Sequence, residues 1–374
     1  MAIAPTVNKP RLATPYKPLQ SLFKESIRKI MAALPAETRP LLAVLRGERR
    51  DPPPVWLMRQ AGRYLPEYRA LRETKGGFLE LAYDSDAAAE ITLQPIRRFG
   101  FDGAILFSDI LIIPHAMGQD LRFEAGEGPR LSPTLVDRTL ADLEPVPARL
   151  EPIYGTVRRV RAALPAETTF LGFAGSPWTV ATYMVAGQGS REQAETRRKA
   201  YRDPAGFQAI IDALVDATAD YLSKQIEAGV DAVQLFDSWA GSLAPREFER
   251  WVIAPTAQLV RRLHARHPGV PVIGFPKGAG GKLPAYARET GVDAVGLDET
   301  VDPAWAHANL PEGLTVQGNL DPLALVSGGE GLDTAVDAIL GAFPGRPHVF
   351  NLGHGILLDT PIAHVERLLA RVRG

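Results

Sequence analysis

No cysteine occurs among the 374 residues. That excludes disulfides, thiolate nucleophiles, Cys-ligated iron–sulfur clusters and every zinc site that uses Cys. There is no excess of charge of either sign, because 42 Lys and Arg stand against 43 Asp and Glu. A net charge of -1 provides no global basic field for nucleic acid or an anionic membrane, so any polyanion must meet a local basic patch. No apolar run approaches the roughly 18 residues of a membrane helix. The N-terminus also lacks the compact apolar region and cleavage pattern of a secretory signal. The chain reads as soluble, and a reducing cytoplasm fits it. The glycine patterns GxGxxG and GxxxxGK[ST] are missing from the strand-to-helix turns, which leaves nucleotide binding without support. HExxH is missing too. His264 and His267 lie beside Arg266 on a basic, solvated helix end, so no metal site is expected.

What is present describes a globular, enzyme-sized protein: 45% hydrophobic, 23% charged, with 32 prolines. At about 150 residues per domain the length suggests roughly two to three domains, although one embellished α/β barrel uses the same length. Residues 1–36 carry Lys9, Arg11, Lys17, Lys24, Arg28 and Lys29 against Glu25. This composition superficially resembles a transit segment, but with so few serines it reads as a poorly ordered extension ending in a short helix.

From residue 54 onward short apolar runs alternate with longer amphipathic ones, as βα units require. The runs are PVWLM at 54–58, DGAILF at 102–107, TFLGFAG at 169–175 and AVQLFDS at 232–238, then PVIGFPK at 271–277, AVGLD at 294–298, TVQGNL at 315–320 and HVFNLGHG at 348–355. Helical spacing recurs over 86–98, 204–228, 245–266, 332–342 and 361–371. Continuous rather than alternating hydrophobicity in eight candidate strands points to an α/β fold, a single (β/α)8 TIM barrel over 37–374, with a doubly wound open sheet as its competitor. No linker divides that span.

In such a barrel the site collects at the carboxyl ends of the strands, so the residues following each run matter most. The first run is followed by Arg59-Gln60-Ala61-Gly62-Arg63, the second by Ser108-Asp109, and the fourth ends in Asp237-Ser238; His354 closes the eighth between two glycines. Two arginines at i, i+4 usually mark a solvated helix face, but Gly62 disfavours a regular helix and a loop there aims both inward. Arginine grips carboxylate or phosphate in a planar, bidentate way. Asp109, at the end of an apolar run, either pairs with an arginine of the first run or serves chemistry. His354 admits a packing or capping role, Tyr183 a place in the core, and Ser238 a capping role. The residues alone support a metal-free barrel enzyme for an anionic substrate, with arginines for binding and Asp109, Tyr183 and His354 for proton chemistry.

PVWLMRQAGRYLPEYR at 54–69 and GFAGSPWTVATYMVAG at 172–187 resemble the two signature segments of the uroporphyrinogen decarboxylase family. TLQPIRRFGFD at 92–102, FSDILIIPHAMG at 107–118, FEAGEGPR at 123–130, LFDSWAG at 235–241, QGNLDP at 317–322 and NLGHGI at 351–356 follow in the family's order. The similarity runs from about residue 40 to the C-terminus. It implies a single (β/α)8 barrel, a cytoplasmic homodimer with facing clefts, and no metal or cofactor. It also implies conversion of uroporphyrinogen III to coproporphyrinogen III in porphyrin biosynthesis, in which four ring acetates become methyls. By the same resemblance Arg59 to Arg63, including Gln60, Ala61 and Gly62, line the substrate, and Asp109 accepts hydrogen bonds from the pyrrole N–H groups. Tyr183, His354, Ser238 and Phe78 match the family's cleft residues. Tyr183 and His354 then orient carboxylates, and the proton donor is open among these two, Arg59 and Arg63. The chain departs from the family at GLDET, 296–300, where an aromatic commonly follows the aspartate, and at GFPKGAGGKLP, 274–284. Two other readings stay in view. One is a related corrinoid-dependent methyltransferase, disfavoured because its zinc ligands usually include Cys. The other is a catalytically silent tetrapyrrole-binding protein.

Overall fold

Seven of the apolar runs become strands of one parallel sheet in the computed structural model, which describes residues 38–124 and 128–374. The strands are β1 (Gly103–Ile105), β4 (Thr169–Gly175), β5 (Ala232–Asp237), β6 (Val272–Pro276), β7 (Ala294–Gly296), β8 (Thr315–Gln317) and β9 (His348–Val349), and they neighbour one another in that order. All these pairings are parallel. The continuous apolar runs have the expected cause: every residue of β4 and β6 is buried, so neither face of these strands can be polar. Arg39–Gly374 forms one compact unit. The expected extension over 1–36 lies outside the described residues.

The run at 54–58, expected as the first strand, is not a strand of this sheet. It makes a single parallel bridge, Val55 with Phe350. Phe350 N donates to Pro54 O at 2.9 Å and Trp56 N to Phe350 O at 3.3 Å, while on the other side Asp102 N donates to Val55 O at 3.0 Å. Pro54 has no N–H to offer a ladder, so the remaining ties come from side chains.

Those ties run through the centre of the sheet. Trp56 Nε1 donates to Gln317 Oε1 at 3.0 Å, Gln317 Nε2 to Gln234 Oε1 at 3.1 Å, and Gln234 Nε2 lies 3.7 Å from Met58 Sδ. Trp56, Gln234 and Gln317 are at most 1% exposed, so water cannot substitute for any of these partners. The sheet's opposite end is held by charge: Asp231 accepts from Arg39 at 2.5 Å, Arg161 at 2.9 Å and the Phe170 amide at 2.8 Å.

Helices form where an Asp-Pro or equivalent start meets helical spacing. Asp203 precedes Pro204 and caps the helix Pro204–Ala228 through Gly206 N, and Asp302 and Asp321 cap two later helices in the same way. The expected single helix over 245–266 instead contains a π turn, Glu249–Ile253, between Pro245–Phe248 and Ala254–Arg266. Pro255 cannot donate to the carbonyl four residues back, and the wider turn absorbs that gap. An antiparallel hairpin, β2 (Asp120–Glu124) with β3 (Gly128–Ser132), was not anticipated. Among the described residues no helix is long and apolar enough to cross a membrane.

Gln317→Leu should lower stability by about 2–4 kcal/mol, because it orphans both the Trp56 N–H and the Gln234 carbonyl in a dry interior. Urea unfolding should show this as a lower midpoint at unchanged slope.

Candidate active site

Beyond the carboxyl ends of these strands lies a cavity of about 780 Å³, within the usual range for small-molecule sites. Its wall is largely aromatic. Phe78 stands 5.3 Å from Phe107 and 4.8 Å from Phe123 of the hairpin, centroid to centroid, and Phe173, Phe236 and Phe275 form a second row.

Into this apolar cup the loop after Met58 delivers its arginines. Asn351 Oδ1 accepts from Met58 N at 2.9 Å and Ile356 N donates to Met58 O at 2.9 Å, which pins the loop root to the segment following β9. Arg59 then adopts φ 61°, a left-handed conformation that costs a non-glycine residue about 1 kcal/mol or more. Its aliphatic stem crosses Gly355 so closely that a Cβ there would lie 2.3 Å from Arg59 Cδ. Glycine at 355 is thus what makes room for the arginine. Among the described residues the guanidiniums of Arg59, Arg63 and Arg72, all lining the cavity, enter no ion pair.

Asp109 is the carboxylate of the lining. Its Oδ1 accepts from Leu111 N at 2.8 Å. Burial pushes its pKa up, and the Leu111 amide and Arg59 pull it back. Tyr183 is likewise raised, first by burial and then by the Asp109 charge, with Arg59 opposing. His354 is pushed down to about 4, by burial first and then by Lys277 and Arg59. At neutral pH its imidazole is therefore uncharged. Ser238 and Phe78 complete the expected set on the cavity wall, together with Ala61 and Gly62.

Gln60 is the exception among the expected substrate contacts. It is fully buried away from the cavity, its Oε1 accepting from Leu57 N at 3.0 Å and its Nε2 donating to Gly103 O at 2.9 Å. The amide ties the loop root to β1. Lys277 and Glu299 pair at 3.5 Å beneath the His354 loop, so the departure at 296–300 places an acid where it balances a lysine. Among the described residues no group of three or more His, Asp or Glu is arranged to hold a metal ion.

The family model described as uroporphyrinogen decarboxylase (URO-D) matches residues 36–374. The chain belongs to the uroporphyrinogen decarboxylase family. It is 74% identical over 339 residues to uroporphyrinogen decarboxylase from Sphingopyxis alaskensis, covering 91% of this chain and 99% of the relative. It is 68% identical to that from Novosphingobium aromaticivorans, covering 90% and 98%. Among solved structures it resembles a methyltransferase from Methanosarcina mazei, with TM-score 0.73, 17% identity and coverage of 90% and 98%; at that identity the likeness is one of fold.

Two contributions to the site in this uroporphyrinogen decarboxylase family member escaped the reading of the sequence. Arg72 follows the buried Tyr68 by one turn on the helix Pro66–Lys75, and that i, i+4 spacing was the available signal that both face the cavity. Phe123, Gly128 and Pro129 come from the hairpin, whose short strands carry no strong periodicity.

In a histidine NMR titration the His354 ring should remain neutral through pH 6 and protonate near 4. An unfolded His takes its proton near pH 6.5, so lowering the pH from about 6.5 to 4 favours the unfolded chain. His354→Asn should remove that part of the acid-induced loss of stability, read from denaturant midpoints across the same range.

Proposed function

We propose that this chain converts uroporphyrinogen III to coproporphyrinogen III by decarboxylating its four acetate side chains, and that the cavity described above is where it does so. The observation that carries the reading is the contrast inside that cavity: aromatic walls suited to a tetrapyrrole, three guanidiniums suited to its carboxylates and without an ion pair among the described residues, and Asp109 among them. Family membership and 74% identity to a uroporphyrinogen decarboxylase support the same reaction.

Arg59, Arg63 and Arg72 bind and orient the substrate's carboxylates. At an effective dielectric near 20 a contact ion pair is worth on the order of 4 kcal/mol before desolvation is subtracted, so a few arginines suffice to select an orientation. Asp109 accepts the pyrrole N–H groups. Decarboxylation needs somewhere for the bonding electrons to go. Protonating the electron-rich pyrrole creates a cation, the acetate C–C bond breaks with its electrons moving into that ring, and carbon dioxide leaves. A proton then adds to the exocyclic carbon to make the methyl, the ring proton is lost, and one proton is consumed for each acetate. Asp109 stabilises the ring cation electrostatically. The substrate is its own electron sink, so the reading requires no cofactor. Neutral His354 and Tyr183 hydrogen-bond carboxylates, and Ser238 and Phe78 complete the contact surface.

The finer architecture belongs to the same proposal. Residues 54–58, hydrogen-bonded towards both Phe350 and Asp102, act as the eighth strand closing a (β/α)8 barrel over 37–374, with 1–36 as an extension. A homodimer with facing clefts in the cytoplasm completes the reading. Leu358, 61% exposed on the cavity lining, is an apolar residue that such a partner would cover.

Anaerobic incubation with uroporphyrinogen should yield coproporphyrinogen and carbon dioxide; binding without release of carbon dioxide would instead favour a carrier. Asp109→Asn should fold normally yet lose about 10²–10³-fold in kcat. Arg59→Ala should raise KM by about tenfold or more, an effect of roughly 1.4 kcal/mol, and unchanged kinetics would make Arg59 structural.

A further inference from the structure

Asp237 ends β5 one residue before Ser238, and it is fully buried behind the cavity wall rather than in it. Its Oδ1 accepts from Thr179 Oγ1 at 2.5 Å, while Oδ2 has no partner among the described residues.

Thr179 lies in the first turn of the helix Pro177–Ala186. The residue at that helix's own cap position, Ser176, makes no capping bond with its side chain. The Thr179 hydroxyl instead ties this first turn to the end of β5. Three more bonds join the two elements: Ser176 N to Phe236 O at 2.8 Å, Trp239 N to Thr179 Oγ1 at 3.0 Å, and Trp178 Nε1 to Trp239 O at 3.1 Å.

Each side of this clasp presents a cavity residue. Ser238 follows Asp237 directly, and Tyr183 sits one helical turn beyond Thr179, against Trp239 at 6.5 Å between ring centroids. Gly189 leaves the space they need, since a Cβ there would lie 3.1 Å from Tyr183 Oη and 3.2 Å from the Trp239 ring. We infer that Asp237 is a positioning residue, which through Thr179 holds Tyr183 and Ser238 in register at the cavity wall. The claim rests on the decarboxylase reading for its kinetic consequence, but the geometry of Tyr183 is measurable without it.

The test uses the full chain in the wild-type, Asp237→Ala, Asp237→Asn and Thr179→Val forms, each also combined with Tyr183→Phe. A parallel set carries 3-fluorotyrosine at position 183 for 19F NMR. Asp237→Ala should lower kcat by about tenfold or more while moving KM by less than about threefold. Asp237→Asn, which retains the acceptor for Thr179, should recover to within about threefold of wild type. In the Tyr183→Phe background Asp237→Ala should cost less than about a further twofold, because the two residues act through one another. The 19F signal should shift or broaden in Asp237→Ala and stay in place in Asp237→Asn.

Independent, multiplicative losses in the double variant would overturn the inference, as would a 19F signal that Asp237→Ala leaves unmoved. Should Asp237→Ala fail to fold, Thr179→Val carries the same comparison. A wild-type protein without decarboxylase activity would defeat the functional reading, and the 19F comparison would still decide the positioning role.

Discussion

The site depends on how a segment without a β-ladder is held in place. Residues 54–60 have no regular ladder, since Pro54 breaks the pattern and the backbone ties are one bridge to Phe350 and scattered single bonds to Asp102 and Ile356. Side-chain amides do the rest. Gln317 and Gln234 reach Trp56 and Met58 from inside the sheet, Asn351 takes the Met58 amide, and Gln60 joins its own loop to β1. Because these groups are sealed from water, each bond is backed by the full cost of desolvating its partner. That rigidity is what tolerates Arg59 in a left-handed conformation and delivers its guanidinium to a defined place.

Given that placement, the electrostatics follow from burial. Burial is the largest cause of the shifts of Asp109, Tyr183 and His354, and the Arg59 charge acts on all three. Burial neutralises His354, and Asp109 is the single acid among the described lining residues, which leaves the arginines in excess there. A protein of net charge -1 thereby holds a cationic cavity; its acids are spent in surface pairs such as Asp333–Arg367 and Asp337–Arg371, away from the site.

Much of this was legible along the chain. The run 169–175 and the helix 204–228 appear with the expected bounds, because a doubly buried strand and a long capped helix carry strong one-dimensional signals. The residues following the apolar runs pointed to Arg59, Arg63, Asp109, Ser238 and His354, and all five line the cavity. Other features left weaker traces. The β2–β3 hairpin is too short for alternation to stand out, and the π turn reflects one proline inside an otherwise regular helical pattern. Gln60 sits between two cavity-facing neighbours in sequence, but a turn at Leu57 sends its amide inward.

Composition and pattern therefore determined the α/β class, the order of its elements and the end of the sheet where chemistry collects, because these depend on hydrophobic periodicity and capping within a few residues. Only the tertiary structure decided which polar residues face the cavity and which brace those that do. Gln60 and Asp237 look like site residues by position, yet each lies outside the cavity lining and bonds another element, Gln60 the Gly103 carbonyl and Asp237 the Thr179 hydroxyl. Arg72 looks like a solvated helix residue and lines the cavity. The physical reason is that a side chain's role is set by the dielectric and the partners it meets after folding, and those come from segments tens to hundreds of residues away.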